Sequence, residues 1–363
     1  MALNSGLHNS SEDSVIHRNK WFQLAIGLAV TGLCLWIAVR EVDLAEIQRQ
    51  FSHARYETIP LYLLCLIAFF VLKAVRWAWL LSPVCKVSSR EVAGPMMIGF
   101  MGNNVLPAHL GEVFRVVLLS RQEKVSLGGV FSSVAIERVL DVIAVLILVG
   151  CGLLSVRNLP EVIEKGFLAG GVVVLLGVIV LAAGVIFLDH SVKLALWLVN
   201  RFPLPDRWKE QLSHLIESGA QAAGVLRNVR LVGLLLANSV IQWGLNCLMI
   251  AISLWSFGIE VPLAATFILL GVLVFAVTIP SSPGFVGAIQ AGFVITLKMF
   301  DVPDASALAA SIYYHVIQYV VVTGVGFIFL ARTGISLSRL QSDAEHLEEG
   351  EPERLIDPTP SNT

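Results

Sequence analysis

Apolar residues recur along the chain in blocks of about 20, the length one helix needs to cross a bilayer. The pattern predicts full crossings at about 21–39, 59–80, 128–152, 166–188, 231–257 and 305–331. Two further apolar stretches, about 92–119 and 263–299, are broken by polar, helix-stopping clusters. The first break reads Asn103-Asn104-Val105-Leu106-Pro107-Ala108-His109-Leu110-Gly111-Glu112, and the second Ile279-Pro280-Ser281-Ser282-Pro283-Gly284. Their arms run ~13–18 residues, or ~20–27 Å, against a hydrocarbon core ~30 Å thick. Each stretch is therefore expected to be a re-entrant hairpin or a pair of short, tilted crossings. Irregular backbone inside a membrane survives only where it is buried in protein or lines a cavity. A pair of such breaks at corresponding points of two halves points to a transporter's binding site.

The fold class expected is an all-α polytopic membrane protein: six full spans plus two hairpins, or eight or more spans if the hairpins cross. Lys and Arg set the orientation, because they concentrate on the cytoplasmic side. Arg18 and Lys20, then Arg76, Lys86 and Arg90, then Arg121 and Lys124, fall on one side; so do the six basic residues of 189–230 and, after the last span, Arg332 and Arg339. Both termini are then cytoplasmic, with the plasma (inner) membrane as the expected location. Segment 40–58 departs from the pattern, with Arg40, Arg49 and Arg55 balanced by four acidic residues. The first hairpin enters from the cytoplasm and the second from outside, each followed by a long span of opposite direction, as in an inverted-topology repeat. The expected organisation is a polar, disordered segment over 1–20 and one transmembrane unit over 21–332. The halves of that unit lie at about 21–152 and 166–332, with an amphipathic cytoplasmic connection at about 189–230. An acidic, disordered tail follows over 333–363.

Composition agrees with this class. Of 363 residues, 56% are hydrophobic and 14% charged, more apolar surface than a soluble chain of this length can hide. The net charge of −2 says nothing about partners, and no feature of the sequence suggests nucleic-acid binding. Five cysteines show no metal or CxxC spacing and read as small hydrophobes. No phosphate loop of the P-loop type occurs, so ATP is not the expected energy source. No cofactor, metal or catalytic set is expected.

Charges inside the spans are the candidate chemistry. Glu112 and Arg115 share a face of the first hairpin's second arm at i, i+3. Pro107 is expected to start that arm, whose free N–H groups favour an anion. The next span carries Glu137, Arg138 and Asp141, ~13–20 Å deep when counted from residue 128. A charge at that depth costs at least ~2.5–3.5 kcal/mol, so such residues are rare and usually functional. Glu137 and Asp141 face one way, and Arg138 can pair with Asp141. A structural ion network that locks packing is the bland alternative; a headgroup-binding cavity shared with Arg115 and His109 is the sharper one. In the second hairpin Ser282 can cap and Pro283 can open the second arm, while Gly284 and Gly287 allow close backbone approach. Asn238, Gln242 and Asn246 form a polar stripe at i, i+4, i+8; with His315 and Gln318 they either bond between helices or line a secondary cavity.

Three strings in order carry a resemblance: Gly102 to Arg115, then Glu137-Arg138-Val139-Leu140-Asp141, then Pro280-Ser281-Ser282-Pro283-Gly284-Phe285-Val286-Gly287. Together they resemble the lysylphosphatidylglycerol synthase transmembrane region, or flippase-like domain family, over about 20–332. The resemblance implies lipid handling: in fused members this region moves an aminoacylated phospholipid made by a separate soluble domain. No segment of this sequence reads as such a domain. The expected function is a lipid translocase that is not an enzyme. Its partner would be an anionic phospholipid, an aminoacyl lipid or a polyprenyl-phosphate-linked glycan. A membrane-embedded transferase acting on a lipid-linked donor, or a scaffold for envelope-lipid synthesis, are the alternatives.

Overall fold

The computed structural model describes residues 29–40, 42–106, 110–155, 165, 172, 188–201, 206–278, 283–337 and 339–340. The expectations for 1–20, for the 166–188 span and for the 333–363 tail thus lie wholly or largely outside the described residues. Among the described residues there are helices and no strands. In chain order they are α1 Ala29–Val39, α2 Leu44–Ser52, α3 Ile59–Leu81, α4 Ser89–Val105, α5 Leu110–Glu123 and α6 Leu127–Ser155. Then follow α7 Leu188–Arg201, α8 Asp206–Ala223, α9 Val229–Ser256, α10 Leu263–Thr278, α11 Ala288–Lys298 and α12 Asp304–Thr333.

Among the described residues three stretches are both long and apolar enough to cross a membrane: Tyr56–Leu81, Val229–Ser256 and Asp304–Thr333. The 29-residue α6 has the length as well, but carries Glu137, Arg138 and Asp141. By contrast α4 and α5, with 17 and 14 residues, and α10 and α11, with 16 and 11, span only ~17–26 Å each. They form the two hairpins. Large apolar side chains such as Leu64, Ile67, Phe275 and Val320 point outward, as lipid-facing residues do. The 189–230 connection is two helices, α7 and α8, followed by a 3₁₀ turn at Gly224–Arg227.

Helices α3–α6 and α9–α12 pack by one scheme. Within the first set α3 meets α4 and α6, α4 meets α5, and α5 meets α6; the second set repeats each of these contacts. Across the sets, α4 lies along α12 as α10 lies along α6, and α3 pairs with α9. The α3–α9 pair is antiparallel: Thr58 meets Ser256 at 2.7 Å at one end, and Arg76 meets Ser239 at 2.6 Å at the other. Equivalent helices that run in opposite directions are the defining feature of an inverted repeat.

Small residues allow the close approaches. A Cβ on Gly99 would lie 2.7 Å from the carbonyl oxygen of Gly111, and one on Gly326 would lie 2.8 Å from that of Met97. Without a hydrophobic drive between helices in lipid, such contacts carry much of the packing energy. The hairpin tips meet one another. Gly284, at φ +73°, sits against the carbonyl of Asn104 and the ring of Tyr319, with no room for a side chain. The Asn104 amide donates to Thr323 at 3.0 Å. Tyr319 is at the middle of the 30-residue α12, so the two tips converge near mid-helix depth.

The second hairpin corrects one expectation. Its second arm starts at Ala288 and not at Pro283; Pro283–Phe285 forms a 3₁₀ turn. Gly287, at φ +87°, lies against α1 at Thr31 and Cys34, and its N–H donates to the Gln290 side chain at 2.7 Å. A left-handed turn that only glycine adopts easily thus sets the start of the arm.

These contacts predict that Gly326→Leu drives α12 away from α4 and destabilises the protein by about 1–3 kcal/mol. Gly324→Leu, where nothing lies within 4 Å, leaves stability unchanged. Thermal unfolding of the detergent-purified variants checks the contrast.

Candidate functional site

Seven charged side chains from three helices converge in the middle of the first half. Lys73 and Arg76 come from α3, Glu112 and Arg115 from α5, and Glu137, Arg138 and Asp141 from α6. Asp141 is at the midpoint of α6, and Glu112 and Arg115 lie in the first two turns after the hairpin tip. Helical spacing explains the convergence: Lys73 and Arg76, and Glu112 and Arg115, stand at i, i+3, Glu137 and Asp141 at i, i+4, and Arg138 reaches Asp141 at i, i+3.

Glu137 is the hub. It is fully buried and takes Lys73 at 2.9 Å, Arg115 at 3.3 Å and Arg76 at 3.5 Å. Asp141 takes Arg76 at 2.7 Å and Lys73 at 3.3 Å, and its other neighbours are the Trp243 indole N–H at 2.9 Å and Arg138 at 3.8 Å. Glu112 bridges Arg115, at 2.7 Å, and Arg138. Aromatic groups close the inner side. The Arg115 guanidinium stacks 5.2 Å from the Trp77 ring, whose indole N–H donates to Ser133 at 3.0 Å. Lys73 lies 5.6 Å from the Phe100 ring.

Two features set the electrostatics. The cluster holds four cations and three carboxylates among the described residues, a surplus of one positive charge. Burial is also graded: Lys73, Arg76, Arg115 and Glu137 are enclosed, while the side chains of Glu112 and Arg138 are 28% and 44% exposed. The cluster therefore opens on the Glu112–Arg138 side. Among the described residues the Nε–H groups of Arg76 and Arg115 have no hydrogen-bond or ion-pair partner. A buried guanidinium with spare donors and a net positive surround is suited to an oxyanion.

The anticipated set is thus partly assembled. Glu112, Arg115, Glu137, Arg138 and Asp141 meet as one group, and Arg138 and Asp141 are neighbours. Asn103 and Gly111 pack together across the first hairpin, and Asn104 and Gly284 meet between tips. Pro107, His109, Pro280, Ser281 and Ser282 lie outside the described residues. The secondary set is dispersed. Asn238 and Gln242 bond each other, Asn246 accepts from the Tyr314 hydroxyl at 3.0 Å, and His315 meets Gln290 at 3.1 Å. Gln318 follows His315 by one turn on α12.

Lys73 was not anticipated, and Arg76 was expected in a cytoplasmic flank; it is instead fully buried in the network. Their signal was present: both interrupt the apolar run of α3 at i, i+3, as Glu137 and Asp141 interrupt α6. Ser239 and Trp243 complete the site from α9. Under the repeat, Gln290–His315 joins α11 to α12 as Arg115–Glu137 joins α5 to α6. Asn246–Tyr314 joins α9 to α12 as Arg76–Asp141 joins α3 to α6. One half carries the ionic version of the network and the other a neutral one.

Comparison with known proteins follows the same residues. The family model described as lysylphosphatidylglycerol synthase TM region matches residues 24–326. The chain is similar to Glycosyltransferase AglD of Haloferax volcanii, 25% identical over 90% of this chain. It spans 60% of that relative's length. It is also similar to UPF0104 membrane proteins of Methanocaldococcus jannaschii, 27% identical over 60% of this chain and 87% of the relative, and of Methanothermobacter thermautotrophicus, 21% identical over 85% and 91%. No solved structure matches.

Breaking the hub leaves buried cations uncompensated, which costs about 3–5 kcal/mol for a buried pair. Glu137→Gln is expected to destabilise by that amount, and adding Lys73→Met to recover part of the loss. Thermal unfolding of the single and double variants measures the coupling.

Proposed function

Because the chain belongs to the lysylphosphatidylglycerol synthase TM region family of multi-pass membrane proteins, we propose that it moves the anionic headgroup of a lipid between leaflets, without ATP and without altering the lipid. The observation that carries this reading is the positively charged, laterally open network at the depth of the hairpin tips. In this reading a headgroup phosphate approaches Arg138 at the half-exposed rim. It then replaces the Glu112 carboxylate, which bridges Arg115 and Arg138 much as two phosphate oxygens would. Glu137 and Asp141 hold the cations in place throughout. The acyl or prenyl chains stay in lipid while the head crosses.

The exchange needs little net energy at the site. One set of charge-assisted hydrogen bonds is traded for another, so the headgroup is never bare in a low dielectric. Two hairpins that meet tip to tip supply the moving part. The first carries the ionic residues, and the second, hinged at Gly284 and Gly287, is the gate. The driving force is an ion gradient or downhill lipid flow. In this reading the protein sits in the plasma membrane, and its Lys and Arg distribution supports cytoplasmic termini.

The similarity to a relative named as a glycosyltransferase raises a transferase reading. Against it, every carboxylate oxygen of Glu137 and Asp141 faces a cation or an N–H donor, so neither is free to take a proton from an acceptor hydroxyl.

The test is translocation of a headgroup-labelled anionic phospholipid in proteoliposomes, read by quenching the label from outside. Arg115→Ala is expected to slow translocation about 10-fold or more, from loss of a charged hydrogen-bonding group. Arg115→Lys should recover it only in part, because an ammonium is a point charge without the planar fork. Unchanged rates in a folded Arg115→Ala protein overturn the assignment, and a chemically altered lipid favours the transferase.

A further inference from the structure

A second lipid-facing feature lies apart from the ionic network. Between α3, α4 and α12 runs an apolar groove of about 430 Å³. Phe70 and Ala74 form one wall, Ala93 and Met97 the floor, and Val321 and Val325 the other wall. Its mouth is at Ser89 and Arg90, in the first turn of α4. From Arg90 to Met97 the groove descends ~11 Å along the helix.

Arg90 is exposed, and among the described residues it makes no hydrogen bond or ion pair. Lys86, also exposed and unpaired among them, lines a second cleft of about 620 Å³ that shares Ser89 with the groove. The acidic neighbour forms no ion pair with either of them. Glu91 is held back in a capping box by the Ser88 backbone N–H at 2.6 Å, and Ser88 caps the helix in return. The helix N-terminus is thus already occupied, and the free positive charge at the mouth belongs to Arg90 and Lys86.

We propose that this groove binds one acyl chain of an anionic phospholipid, with the headgroup phosphate at Arg90. Three observations choose that occupant. The walls are apolar and open toward the outer surface of the bundle, where Ile67 and Val71 are exposed. The basic pair stands at one end only, as a headgroup over a chain requires. The depth matches a chain segment descending from the interface. A neutral helix from another protein would leave Arg90 unsatisfied. The groove is also walled off from the network: Phe70 packs edge-on against Phe100 at 5.3 Å, and Lys73 lies behind that pair. The proposal stands on the groove alone and does not require translocation.

Native mass spectrometry of the full-length detergent-purified protein tests it, with phosphatidylglycerol and phosphatidylcholine of identical chains added in equal amounts. The wild type is expected to retain the anionic lipid about fivefold over the zwitterionic one, the effect of one cation near the membrane surface. Arg90→Glu should remove the preference, and Ala93→Trp, which fills the floor, should lower retention of both lipids. Equal retention by the wild type, a preference that survives Arg90→Glu, or retention untouched by Ala93→Trp overturns it. Unchanged translocation in folded Arg115 variants with the retention pattern intact counts against the transport reading and leaves the groove supported.

Discussion

A buried charge in a membrane must be paired, and the pairing of Glu137 organises the first half of this protein. That carboxylate holds Lys73 and Arg76 of α3 and Arg115 of α5 at once. Two helices, α3 and α5, are therefore fixed to one point on α6. Ionised groups at this depth are tolerated only when every partner is present, so the network specifies the packing of the hairpin as well as its chemistry. Excess positive charge and partial exposure at Glu112 and Arg138 support the proposed headgroup site over a closed structural lock. Such a lock would balance its charges and exclude its rim residues from solvent.

The second constraint is backbone polarity. Chain ends of α4, α5, α10 and α11 stop inside the bundle, where unpaired N–H and C=O groups are costly. The Gln290 side chain accepts from the Gly287 N–H, the Tyr319 hydroxyl donates to the Asn104 carbonyl, and the tips shelter one another. The mirrored packing of α3–α6 and α9–α12 then places one hairpin on each side of a common centre. The two sides are not equivalent in charge. An ionic network faces a neutral Asn–Tyr–His–Gln counterpart, and the proposed function assigns headgroup binding to the first half and gating to the second.

Much of this was legible in the sequence. The long helices follow the apolar blocks within a few residues, because one crossing requires about 20 apolar positions. The breaks at Asn103–Gly111 and Ile279–Gly284 marked both hairpins, and the i, i+3 and i, i+4 spacing of Glu112, Arg115, Glu137, Arg138 and Asp141 marked the network. Lys73 and Arg76 were obscured because they lie near the end of their apolar run, where a basic residue ordinarily reads as a topology signal. Pairing between α3 and α6 is a tertiary fact that no local spacing encodes. The start of α11 was displaced for a related reason: Pro283 is a good opener of helices, but the Gly287 turn against α1 decides the register.

The central claim is that the ionic network serves lipid passage and not only packing. Leaflet-resolved lipid analysis of proteoliposomes with and without the wild-type protein tests it most directly. The account predicts that an anionic lipid placed in one leaflet reaches the other faster when the protein is present, chemically unchanged and without ATP. Identical leaflet distributions over time, with folded protein confirmed in the vesicles, would contradict it.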